Sequence, residues 1–70
     1  MEKIKQHINK KIQEIKEERT ELYHTIKTCQ KLGFKHEENA LWEKDKQLGL
    51  RKIELEDILI FIRKQEKNAE

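Results

Sequence analysis

Glu21 and His24 stand three residues apart, a spacing with which one helix can present a carboxylate and an imidazole to a metal. A carboxylate-bundle centre needs two such pairs and further inward carboxylates, and this sequence has one pair. On a helix the pair points away from the Ile8–Ile15–Leu22 stripe, so it reads as solvated surface. His7, His24 and His36 form a ligand set only if the fold gathers them. A hairpin would leave His7 at the open end and His24 and His36 toward the turn, and two histidines alone are a weak site. Cys29 is the only cysteine, which excludes an intrachain disulfide and a thiolate zinc site. It lies within an apolar repeat, where cysteine acts as a small hydrophobe. There is no glycine-rich phosphate loop and no nucleophile–base–orienter set. These residue types predict neither catalysis nor a bound cofactor.

Charge offers a second kind of chemistry. Lys3, Lys5, Lys10 and Lys11 near the start would lie beside Arg63, Lys64 and Lys67 near the end if the chain folds back on itself. Such a basic end could contact the phosphates of RNA or DNA. Glu2, Glu66 and Glu70 dilute it, and no aromatic platform accompanies the lysines. With 16 basic and 14 acidic residues interspersed, the net charge is only +2, so there is neither a polybasic tail nor an acidic block. Nucleic-acid binding by a hairpin dimer is the alternative reading.

The elements that would position these residues are helices. The chain is 43% charged and has two glycines and no proline, a balance that belongs to long helices or coiled coils. The even placement of Ile and Leu argues against disorder. Met1, Ile8, Ile15, Leu22 and Cys29 recur at sevens, with Ile4, Ile12 and Ile26 beside them, and predict one helix over about 2–32. Lys11, Glu18 and Arg19 interrupt this narrow stripe, and Tyr23 sits at its edge. Gly33 reads as a left-handed C′ residue, with Phe34 placed to fold back onto the Cys29 turn. The turn spans 33–35, and neither Lys35 nor His36 makes a good N-cap. A second helix over about 36–67 carries Leu41, Leu48, Leu55 and Ile62, which with Phe34 before it again recur at sevens. Glu37 and Glu38 suit its first turn and Arg63, Lys64 and Lys67 its last turns, and Asn68 to Glu70 are expected to fray.

A connection this short makes the helices antiparallel neighbours. The fold class expected is all-α: residues 1–70 form one antiparallel, coiled-coil-like helical hairpin about 45 Å long. Ile26 should lie near Leu41, Ile12 near Leu55 and Ile8 near Leu59. Leu22, Ile26, Leu41, Leu48, Leu55 and Ile62 should form its core.

The stretch Ile53–Ile62, IELEDILIFI, holds seven large apolar residues in ten, too many for one face of a helix. The second helix therefore has a second apolar stripe, Trp42, Gly49, Ile53 and Ile60, flanked by Leu50 and Phe61. Gly49 in mid-helix costs about 1 kcal/mol relative to Ala, which points to close approach of another helix. A chain this small, without a disulfide or metal, needs oligomerisation to hold its core. The reading is a homodimer, expected as a four-helix bundle, acting as a regulator, inhibitor or adaptor of a partner protein. No signal peptide is expected, because Met1 to Lys16 alternates charge and Ile. The apolar stretch is too short to span a membrane, so the protein is expected to be cytoplasmic.

In layout and size the chain resembles plasmid copy-number regulators of the repressor-of-primer kind, hairpins that dimerise into four-helix bundles. No motif carries over. The small aspartyl-phosphate phosphatases of sporulation control are also helical hairpins, but their Ser-Gln-Glu-Leu-Asp run is absent. The nearest stretch, Glu54-Leu55-Glu56-Asp57, lacks the Ser-Gln and shifts the acid. The abundance of Lys, Ile and Glu hints at an AT-rich genome, of a bacterium or its phage.

Overall fold

The computed structural model describes residues 2–69, and within them the chain forms two helices packed against each other as a hairpin. Helix α1 runs Glu2–Leu32 and α2 runs Lys35–Ala69. Met1, at the head of the first stripe, and Glu70, which the sequence reading expects to fray, lie outside the described residues. The helix itself continues through Asn68 and Ala69. The molecule extends 57 Å along its axis, of which α2 spans about 50 Å at 1.5 Å per residue.

Gly33 terminates α1 because it alone can adopt the required backbone without a Cβ clash: its φ is +77°. The Phe34 N–H donates to the Cys29 carbonyl at 2.9 Å and the Gly33 N–H to the Gln30 carbonyl at 3.3 Å. These are the two bonds of a Schellman cap, which satisfy carbonyls that the helix end would otherwise orphan. The Phe34 side chain remains exposed. Phe34 also serves as the N-cap of α2, its carbonyl accepting from the Glu38 N–H at 2.9 Å. No side-chain oxygen is available at that position, so Glu37 and Glu38 supply the negative charge that the helix N-terminus favours.

The core is a single narrow seam. From α1 it takes Ile8, Ile12, Ile15, Leu22, Ile26 and Cys29, and from α2 Leu59 and Ile62. Ile26 is the most enclosed, at 1% exposure. Toward the open end Ile8, Ile12, Leu59 and Ile62 cluster together with Leu55 against them, as reflection of the two stripes about the turn requires. Leu41, Leu48 and Leu55 are half-buried, because a two-helix seam covers each side chain from one side only. Ile4, near the open end, is exposed.

Candidate functional site

Three polar ties fix how the helices face one another. Near the turn, Glu38 is buried and its Oε2 accepts from Gln30 Nε2 at 3.0 Å and from Trp42 Nε1 at 3.1 Å. These bonds, the Gln30 donation first, hold the carboxyl below its ordinary range, because donors to the charged form favour it. Midway, Arg19 grips Asp45 with two bonds, Nε to Oδ1 at 2.9 Å and Nη2 to Oδ2 at 3.2 Å. This planar fork raises the guanidinium's affinity for its proton still further. At the open end, Lys5 Nζ donates to Glu66 Oε1 at 2.9 Å and lies 3.3 Å from Glu2. The Glu66 bond, then the Glu2 bond, raises the ammonium pKa.

The residues that interrupt the α1 stripe thus find separate explanations. Arg19 belongs to a cross-helix pair, and Lys11 lies 3.8 Å from Glu14 on its own helix. Glu18 is exposed and lines a groove between the helices. Gly49 also has a specific neighbour. A Cβ built there would stand 3.3 Å from Arg19 Nη1 and 3.4 Å from its Cζ. The glycine therefore admits a side chain of α1 over the α2 backbone, and its close approach is within the hairpin. The sequence placed Gly49 on the second face with Trp42 and Ile53; its position one turn beyond Asp45 brings it under the guanidinium.

The other members of that face point outward. Trp42 is 41% exposed, Ile53 54%, Ile60 47%, Leu50 54% and Phe61 61%. Ile58, which shares the angular sector of Leu55 and Leu59, is also exposed, at 46%. It lines a shallow depression open to solvent together with Leu48, Leu50, Leu55, Lys44, Arg51 and Glu54. The Trp42 indole is held in one orientation by Glu38, its N–H already satisfied while its ring remains accessible. Such a ring loses little freedom when it docks.

Of the basic residues at the open end, Lys3, Lys10, Arg63, Lys64 and Lys67 are exposed. Lys5 is turned into its pair with Glu66 and Lys11 into its pair with Glu14, so two of the seven are neutralised locally. Glu21 and His24 are both exposed, and Tyr23 beside them is covered by Lys27, whose Nζ lies 4.8 Å from the ring centre. Among the described residues no three His, Cys, Asp or Glu side chains converge as metal ligands. No described helix is long and apolar enough to cross a membrane. Apolar periodicity does not reveal the Glu38 and Arg19–Asp45 ties. Their signal was present, since Arg19 reflects onto Leu48, one turn from Asp45, and Glu38 stands one turn before Trp42.

Comparison with family models, with curated proteins and with solved structures finds no significant match.

Proposed function

We propose that this chain is a non-enzymatic, cytoplasmic protein–protein interaction module, a helical hairpin that homodimerises and regulates or bridges a partner protein. One observation carries the reading. The inner face of α2 is covered by α1, yet Trp42, Leu50, Ile53, Ile60 and Phe61 remain between two-fifths and three-fifths exposed. Large apolar side chains exposed along one helix mark an association surface. Pairing two hairpins through α2 brings four helices together, and the fixed Trp42 ring lies on the same exposed face. Tryptophan is over-represented among the residues that dominate binding energy.

The basic end supports the alternative less well, because Lys5 and Lys11 already face carboxylates. Association through apolar side chains persists in salt, whereas phosphate contacts weaken steeply. The test replaces Ile53 and Ile60 together by Asp. Sedimentation equilibrium should show the variant as a monomer while circular dichroism at high concentration still shows helix, since both side chains lie outside the hairpin core. An unchanged mass and unchanged partner capture would refute the assignment of this face.

A further inference from the structure

The outer face of α2 has an order beyond its apolarity. Trp42, Lys46, Leu50, Ile53, Asp57 and Phe61 follow one another at steps of 4, 4, 3, 4 and 4 residues. Steps of this kind belong to an 11-residue repeat, which tracks almost straight along a helix. At ~100° per residue this stripe is centred roughly 170° from the Leu48–Leu55–Ile62 line. Four of its members are large and exposed. The other two, Lys46 and Asp57, are exposed and have no ion-pair partner among the described residues of the hairpin.

The stripe is self-complementary when read against itself in reverse. About a midpoint between Arg51 and Lys52, Trp42 lies level with Phe61, Lys46 with Asp57 and Leu50 with Ile53. We propose that the outer stripe of α2 is covered by the same stripe of a second copy, antiparallel, with the twofold axis between Arg51 and Lys52. Each Lys46 then meets the partner's Asp57, and each Trp42 shares a layer with the partner's Phe61. This rests on the reading of α2 as the association surface and deepens it to an orientation and a register.

The alternatives fail on charge and closure. Parallel pairing in register would set Lys46 against the partner's Lys46 and Asp57 against the partner's Asp57, and like charges disfavour it. A staggered parallel pairing would match one charge pair and leave the other open, a head-to-tail arrangement that does not close. Contact through the sides of the hairpin is also disfavoured. One groove between the helices combines Lys11, Glu14, Glu18 and Arg51 with only Ile15 and Leu48, and the other sets Lys16, Glu56 and Arg63 beside Asn9 and three apolar side chains. In the proposed pairing association uses α2 alone, and the four helices lie in one layer, α1 outermost on each side. That geometry covers α2 on two opposite faces, as a helix apolar nearly all round requires.

Charge reversal tests the register. Lys46→Asp and Asp57→Lys each replace two cross-dimer attractions by repulsions, and each alone should weaken self-association at least about tenfold. The double variant should regain wild-type association, and an equal mixture of the two single variants should form heterodimers. A parallel in-register dimer would be insensitive to the single reversals, because each would exchange one like-charged pair for another. Singles that associate as wild type, or a double as weak as the singles, would overturn the register. Spin labels at Gln65 in a Cys29→Ala background supply an independent readout. The antiparallel register places them roughly 40 Å apart at 1.5 Å rise per residue, and parallel pairing places them under about 20 Å apart. A short distance overturns the register while association sensitive to Ile53→Asp still upholds the surface. A wild-type chain that stays monomeric overturns this inference and the self-association beneath it.

Discussion

Gly49→Ala is the substitution whose outcome most depends on the details of the hairpin. Alanine in a helix interior is favoured over glycine by about 1 kcal/mol, so with no neighbour the change should stabilise by that amount. Here the new methyl would sit 3.3 Å from Arg19 Nη1 and 3.4 Å from Nη2 and Cζ. The guanidinium must yield by a few tenths of an ångström, and it is tethered at both Nε and Nη2 to Asp45. The Arg19 side chain is 37% exposed and Asp45 21%, so the pair is screened and contributes at most about 1 kcal/mol. The opposing effect therefore removes part of the propensity gain. We expect Gly49→Ala alone to fall within about 0.5 kcal/mol of neutral, and to reach about 1 kcal/mol of stabilisation when Arg19 is already alanine. For a chain of this size 1 kcal/mol corresponds to about 4–8 °C in melting temperature. Thermal and urea denaturation of the four chains of the double-mutant cycle, at one fixed protein concentration, reads the coupling directly. Equal effects of Gly49→Ala in both backgrounds would refute the guanidinium explanation. Weakened association on Gly49→Ala would instead place the glycine's role on the outer face.

Three further outcomes follow from the same geometry. Ile26→Ala empties the most enclosed position and should cost about 2–5 kcal/mol, comparable to the whole stability of so small a core; helicity by circular dichroism should collapse at low concentration. Gly33→Ala places a Cβ at φ +77° and should cost about 1–2 kcal/mol, seen as a lower melting temperature without loss of helix at low temperature. Glu38 has a lowered folded pKa, so its contribution is complete above the unfolded value and disappears as pH falls through the folded one. Melting temperature and Trp42 fluorescence should therefore change together in acid, and Glu38→Gln should flatten that acid limb of both curves.

The hairpin was legible because its signals agree at every level. Both helices repeat at sevens, Gly33 supplies the left-handed stop, and reflection about the turn pairs Ile12 with Leu55 and Ile8 with Leu59. The Schellman bonds and the Ile8–Ile12–Leu59–Ile62 cluster realise that pattern. The polar ties were harder to read, because side-chain reach blurs the reflection by about a turn. Arg19 bonds to Asp45 and not to a group level with it, and Lys5 reaches Glu66 in the same way. Gly49 was ambiguous for a related reason. By angle it groups with Trp42 and Ile60, and only the Arg19 side chain reaching over it from α1 decides which neighbour it serves. Apolar periodicity alone separated Trp42, Ile53 and Ile60 from the core, and their exposure in the hairpin follows from α1 having only one apolar stripe. What lies against that exposed face is not written in a single chain's periodicity, which is why solution mass decides it.

The most direct test of α2 as an association surface is the solution mass of the unaltered chain by sedimentation equilibrium, over a wide concentration range at low and high salt. The proposed function predicts a dimer mass that persists at high salt, because burial of Trp42, Leu50, Ile53 and Phe61 is apolar. A folded, helical monomer at every concentration would contradict it.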